Sequence, residues 1–519
     1  MALKDLLRLS EPFGPVDQQV VMDDDDAALL LDGAVLPFRQ AFEHRSPLIL
    51  GRKGAGKSSV LAGYQFPTKY KHLLPLSESD IPSDQDIVVP IESWQHFQDI
   101  VISVSKALPS GDKIIFPEWV SRLWADAIWI EIFKHLQQRL PHFTSSEQAR
   151  LSSIRSLFQT RDFRLVSPNI DDAIHKMIAA AKASVSNFLA HRRARCYVLF
   201  DSMDDYPVRD SRFVSVIAGL LKCLSSFQRK HPEVSVIFCL PEEIARYLMQ
   251  FSSNIIKDFN HPYYLRWKPG HLLRVAAHRY RLFIQLNDAI FFKELDKLNF
   301  STREDLQTFY QRIMPPDFSN TYGHREDPVA YLIRHTQLQP RHFLMILNRV
   351  ATESYRETGG LRKFLAKAIQ DAVSEAELRI AEQILYPYGD LYPKLIMACQ
   401  QVLADLPPIC NSAELAKAQS RMAKRMESDI FDFRRTLFQM GILGKVEEDA
   451  LMPENGNQHS GVRYAYAKFY FNTFGDIGYP TDATYCFHPV FSKYFGLRRR
   501  KNGDGRFVYP ADIGDIWSV

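Results

Sequence analysis

The sequence predicts an α/β chain, with a mostly parallel sheet in its first half, an all-helical stretch after it, and a smaller C-terminal unit in which helices lead into strands. Three observations carry this. Short apolar runs alternate with longer amphipathic stretches up to about residue 260. Helical periodicity then continues alone to roughly residue 385. Aromatic-rich strand patterns return only near the C-terminal end. The implied domains are residues 1–260, with a helical insertion at about 110–190, then 261–385 and 386–519. A chain of 519 residues is too long for one ordinary core, and about two to four domains is the expectation for that length.

The elements follow in order. Asp23 to Asp26 form an acidic run that reads as a solvated loop, ahead of apolar Ala27 to Leu31. Pro47 to Leu50 is a short buried-strand pattern, and Ser58 to Tyr64 has helical character after an intervening glycine-rich loop. Asp86 to Ile91 reads as a second strand. Pro117 to Leu140, Ser145 to Phe158 and Ile170 to His191 read as helices. Cys196 to Phe200, apolar and bounded by polar residues, is the best central-strand candidate. A helix from Phe213 to Gln228 and an apolar run from Val234 to Leu240 complete the alternation, which implies parallel pairing. In the last third, helices at Ala413 to Met426 and Ile430 to Met440 precede strand patterns at Gly441 to Val446, Tyr464 to Phe471 and Tyr485 to Phe487. Helices followed by a small hairpin suggest a winged helix.

Composition excludes several classes. An apolar fraction of 46% and a charged fraction of 24% are those of a globular protein. No apolar run approaches the roughly 20 residues that cross a bilayer, and charges interrupt the N-terminus, so no membrane partner and a cytoplasmic location are expected. The six cysteines are scattered without a Cys-x-x-Cys pair and read as reduced core residues. A net charge of +4 does not require a nucleic-acid partner and leaves local basic contacts open.

Gly51-Arg52-Lys53-Gly54-Ala55-Gly56-Lys57-Ser58 fits G-x-x-x-x-G-K-[ST], the P-loop pattern, and Ser59 continues it into the helix. Its glycines allow backbone N–H groups to converge on phosphate oxygens at a helix N-terminus. Lys57 would reach the β- and γ-phosphates, and Ser58 would ligate Mg²⁺. The expected cofactors are therefore ATP and Mg²⁺. Cys196 to Phe200 delivers Asp201 as a second metal-holding residue. Asp204 and Asp205 lie just beyond, and one of them would orient or deprotonate the attacking water, with Asp205 favoured.

The P-loop, Phe-Asp-Ser-Met-Asp-Asp at 200–205 and the C-terminal pattern resemble AAA+ and STAND ATPases, especially prokaryotic conflict-system forms related to origin-recognition ATPases. The resemblance implies a P-loop NTPase domain followed by a helical lid and a winged-helix domain, with bacterial or phage defence as the setting. It also implies a regulatory sensor 2 arginine in the lid, matched by Arg341 in Leu338 to Leu344. A guanidinium there would contact the γ-phosphate and report its loss, or would equally cap or salt-bridge its own helix. The family's polar sensor 1 position falls on Cys239-Leu240-Pro241-Glu242-Glu243, a departure. Arg266, Arg274, Arg279 and Arg281 are all candidates for a trans-acting arginine finger.

Other chemistries lack support. His271/His278 and His335/His342 are spaced seven apart but have no clustered Cys or carboxylate ligands, so no zinc site is expected. There is no G-x-S-x-G elbow and no Asn-Lys-x-Asp guanine signature, the latter favouring ATP over GTP by comparison with GTPases. At the C-terminal end, Arg434, Arg435 and the run Arg498-Arg499-Arg500-Lys501 could face a phosphate backbone or be solvated charge. The leading expectation is an ATP-hydrolysing switch, as a homo-oligomer or with a protein partner or separate effector, and with at most weak nucleic-acid binding by its C-terminal module. The alternatives are a DNA-binding ATPase of origin-recognition or transposition-helper type, and a non-hydrolysing nucleotide-binding scaffold.

Overall fold

A computed structural model of the chain describes residues 3–16, 30, 36–44, 46–67, 82–83, 85–91, 94–107, 117–136, 143–153, 172–201, 211–251, 262–391, 394–426, 433–447, 464–473, 482–497, 507–510 and 516–517. The chain packs as two compact units, one of Phe38–Leu265 and one of Met1–Pro37 with Arg266–Val519.

The first unit is built on a five-stranded, all-parallel sheet. After helix α1 (Leu36–His44) come β1 (Leu48–Gly51), α2 (Lys57–Gln65) and β2 (Ile87–Ile91). The described helices before the next strand are α3 (Trp94–Ala107), α4 (Pro117–Leu136), α5 (Ser145–Ser153) and α6 (Asp172–Arg192). Then β3 (Cys196–Phe200), α7 (Ser211–Lys230), β4 (Val234–Pro241), α8 (Glu242–Phe251) and β5 (Tyr263–Tyr264) complete the unit. The order across the sheet is β2-β3-β4-β1-β5. Every residue of β3 is buried and β4 is buried over most of its length, as strands covered on both faces require. Pro90 lies in β2, at the sheet edge, where a missing N–H costs least. The helices α4 and α7 pack together, and Trp124 Nε1 donates to Val216 O at 2.8 Å. Parallel pairing puts all five carboxyl ends at one edge.

In the second unit, Asp288, Thr302 and Asp327 each accept a backbone N–H at a helix start: α10 (Ala289–Leu295), α11 (Arg303–Ile313) and α12 (Pro328–Arg334). The longer helices are α9 (Pro269–Asn287), α13 (Pro340–Thr358) and α14 (Ala366–Leu391). The N-terminal segment is part of this core. Phe13 stacks on Tyr280 with ring centroids 4.8 Å apart, and Asn348 accepts from Phe13 N at 2.7 Å while donating to Gly14 O at 2.9 Å.

The rest of the unit comprises α15 (Leu395–Leu403), β6 (Ile409–Asn411), α16 (Ser412–Met426), α17 (Phe433–Gln439), β7 (Leu443–Glu447), β8 (Tyr464–Lys468), β9 (Thr484–Phe487), α18 (Val490–Tyr494) and β10 (Phe507–Tyr509). Its sheet runs β10-β8-β7-β9-β6, antiparallel except for β10 against β8. Strand β8 stops at Lys468, short of the Phe471 that its aromatic content suggests. Asn472 causes this: its Oδ1 accepts from Phe469 N at 2.7 Å and its Nδ2 donates to Ala467 O at 3.0 Å, turning the chain into a short 3₁₀ segment. All six cysteines are buried and free. Among the described residues, no helix is long and apolar enough to cross a membrane.

Candidate functional site

The loop between β1 and α2 carries the Gly51 to Ser58 string. Gly54 and Gly56 take φ values of 89° and 92°, left-handed conformations that a side chain resists. A Cβ on Gly56 would also press on the Phe38 ring at 3.3 Å. No side chain caps α2, and the N–H groups of Ser59 and Val60 both donate to Gly56 O, at 3.1 Å and 3.3 Å. Gly63 sets how closely α2 meets α1, because a Cβ there would lie 2.4 Å from Phe42 Cζ. Lys57 is only 8% exposed, and its Nζ donates to Gly51 O at 3.1 Å and Arg52 O at 3.2 Å. The ammonium is thus folded back over the loop.

Strand order brings Asp201 toward this loop. Phe238 of β4 pairs with Phe200 of β3 on one side and Leu48 of β1 on the other. One residue further on, Cys239 pairs with Ile49, and its Sγ donates to Lys57 O at 3.9 Å. Continuing the β3–β4 register by one residue sets the buried Asp201 level with Cys239, on the same face of the sheet. Asp201 and the first residue of α2 therefore flank one β4 position. This donor set suits Mg²⁺ with phosphate: a hydroxyl at Ser58, a carboxylate at Asp201 and a glycine-rich loop with a lysine.

Sequence reasoning did not single out Glu243 as a site residue. It lies in the first turn of α8, just past Pro241, which pairs with Gly51. Its Oε1 is 3.6 Å from Arg52 Nε, and both side chains are buried. The pair fastens the second residue of the Gly51 to Ser58 loop to the end of β4. Pro-Glu-Glu after an apolar run reads only as a helix start, and the partnership depends on β1 and β4 being neighbours.

Other candidates are distributed as follows. Lys53 and Ala55 lie in the loop, Ala55 N donating to Arg52 O at 3.0 Å, while Ser58 and Ser59 are in the first turn of α2. Asp204 and Asp205 lie outside the described residues, as do Arg498, Arg499 and Arg500. Arg341 is half-buried in the first turn of α13 and belongs to the second unit, whereas the Gly51 to Ser58 loop belongs to the first. A cation in a first turn opposes the helix dipole. The turn before it is built from buried polar residues, with Leu338 at φ 49°, Gln337 Nε2 donating to Gly441 O at 2.9 Å and His488 Nε2 3.0 Å from Thr336 O. The start of α13 is thereby tied to the C-terminal sheet.

At least three of the four finger candidates are engaged within their own unit. Arg279 is half-buried and donates to the carbonyls of Leu30, Phe13 and Pro15, Arg266 donates to the carbonyls of Tyr470 and Thr473, and Arg281 donates to Leu298 O at 3.4 Å with its guanidinium 4.8 Å from the Phe300 ring centroid. In α17, Arg434 is half-buried and close enough to Tyr485 to act on its hydroxyl, whereas Arg435 is exposed.

No protein family and no curated protein sequence matches the chain.

Proposed function

We propose that the chain binds ATP with Mg²⁺ at the Gly51 to Ser58 loop, hydrolyses it, and works as an AAA+/STAND-like switch. The observation that carries this is Lys57, buried and hydrogen-bonded to the carbonyls of Gly51 and Arg52, in a loop between a parallel strand and a helix and on the same sheet edge as Asp201. Ligands of open α/β sheets bind outside the carboxyl ends of the strands, which is this edge. In the bound state Lys57 would exchange its carbonyl partners for β- and γ-phosphate oxygens, and the backbone N–H groups at the start of α2 would hold the phosphates. Ser58 and Asp201 would hold the metal ion, whose chemistry is to neutralise charge developing on the transferred phosphoryl group. Asp204 or Asp205 would orient the attacking water.

The second unit would supply the lid, with Arg341 as the residue that reports the γ-phosphate. The buried polar turn at Thr336 to Gln339 gives that report a route to the C-terminal sheet, which we read as a winged-helix module. Arg434 lies near Tyr485, and Arg435 is the exposed member of the α17 pair. This favours a module that engages protein, a separate effector or another copy of the chain, over one that docks on duplex DNA. The direct test is calorimetry of MgATP with the parent chain and Lys57→Ala, alongside phosphate release. Equal affinity in the two proteins would remove the P-loop assignment. Binding without turnover would leave the non-hydrolysing scaffold.

A further inference from the structure

The second unit holds a cavity of about 590 Å³, far from the P-loop in sequence, and its volume falls in the range of small-molecule sites. It forms where α12 and the N-terminal half of α14 meet the C-terminal sheet and α18. Much of its wall is apolar, including Val373, Ile409, Phe487 and Leu497. Arg334, His335, Glu377 and Lys493 converge on it, and His324, Tyr322 and Tyr331 also belong to its lining.

These groups differ in how their charge is met. Arg334 is buried and closed by Glu326, with Nε to Oε1 at 2.8 Å and NH2 to Oε2 at 3.3 Å, and Tyr509 donates to the same carboxylate. The guanidinium also lies 4.9 Å from the Tyr331 ring centroid and 5.0 Å from that of Phe507, so its faces are covered. His335 is buried with Nδ1 2.8 Å from Glu377 Oε1, and burial beside Arg334 holds it neutral. Glu377 is pushed up to about 7 by burial, against the pull of Arg334 and Lys493. Lys493 differs from all of these. It is exposed at the cavity mouth, and its Nζ donates to Ser374 O and Oγ at 3.3 Å, both neutral acceptors. On the α13 side of α14, Arg349 pairs with both Glu353 and Glu375. Among the described residues Lys493 is paired with no anion, and the cavity beside it has an acid able to donate a hydrogen bond and an apolar body.

We propose that this cavity is a binding site for a small monocarboxylate with an apolar or aromatic body, its carboxylate on Lys493 and the Glu377 carboxyl, and its body against Phe487, Ile409 and Leu497. The site is independent of the nucleotide reading. Glu377 must carry its proton to donate to the ligand, so binding is complete below about pH 7 and takes up a proton above it. Affinity then falls by as much as tenfold for each pH unit above that point.

The test uses the full chain with benzoate and hexanoate as probes, and benzyl alcohol and benzylamine as neutral and cationic controls, followed by ligand-observed NMR and calorimetry from pH 6 to 9. Saturable carboxylate binding, at least tenfold tighter than benzyl alcohol and weakening above about pH 7, is the expected result. Lys493→Gln, at an exposed side chain, should remove the preference for the carboxylate. Glu377→Gln keeps a hydrogen-bond donor and should retain binding while flattening the pH dependence. Tighter binding of benzylamine, no saturable binding of either carboxylate, or an unchanged preference in Lys493→Gln would overturn the assignment.

Discussion

Replacing Lys57 by Ala should have two separable effects, because the same ammonium is bonded to the loop's own carbonyls and, in the proposed complex, would meet the phosphates. Its Nζ makes two charge-assisted hydrogen bonds, 3.1 Å and 3.2 Å long. One such bond contributes about 1.5–3 kcal/mol, and Lys57 is buried, so its loss also relieves the desolvation of a cation. The two bonds are at the long end of the range, and the relief offsets part of the second, which leaves a net loss of about 2–3 kcal/mol. For a unit of this size each kcal/mol moves Tm by about 2–4 °C, so the variant should melt roughly 4–12 °C lower. The parent should gain about 2.7 kcal/mol from MgATP at a hundred times its Kd, a rise of roughly 5–11 °C. Lys57→Ala should gain almost none. Differential scanning of both proteins, with and without MgATP, reads both numbers at once. An equal ATP-induced rise in parent and variant would refute the role given to Lys57. An unchanged Tm without nucleotide would refute the stabilising role of its two hydrogen bonds.

The remaining predictions use the same site and the C-terminal module. Asp201→Asn should weaken magnesium-dependent nucleotide binding in calorimetry, whereas Asp205→Asn should retain ATP and lose turnover. If Asp204→Asn is the variant that traps ATP, the two acids exchange roles, and if neither slows hydrolysis the segment is not catalytic. Glu243→Ala should destabilise the first unit by about 3 kcal/mol, since it removes a buried carboxylate that is ion-paired with the buried Arg52. In urea denaturation, Arg52→Met combined with Glu243→Met should cost less than the sum of the single changes, by about 1–3 kcal/mol, and strict additivity would show that the pair does not interact. Replacing Arg434, Arg435, Arg498, Arg499 and Arg500 by Ala should leave ATPase activity in place. Any duplex binding by the parent should be weak and sequence-independent, and nanomolar, sequence-selective binding in physiological salt would favour the origin-recognition-like alternative.

What the sequence alone determined was local. The Gly51 to Ser58 string fits only a loop that can take positive φ at Gly54 and Gly56 before a helix, and the structure has both. The run Cys196 to Phe200 is apolar at every position because β3 is covered on both faces, so its place in the sheet was legible from composition. Period and turn chemistry are properties of adjacent residues, and they located seven of the ten described strands, missing β5, β6 and β10, which are only two or three residues long. Even β8, misjudged by a few residues, ended where a single side chain, Asn472, took a backbone N–H away from the ladder. The tertiary structure decided which strands are neighbours. An alternation of strands and helices leaves strand order open, and order is what places β4 between β1 and β3, sets Glu243 against Arg52 and brings Asp201 level with Cys239. It also decided that Phe13 packs on Tyr280, that Arg279 is occupied by backbone carbonyls, and that residues from Arg334 to Val508 enclose a cavity. Such contacts form between residues tens to hundreds of positions apart, where the pairing energy depends on how whole elements dock and no short-range pattern in the chain records it.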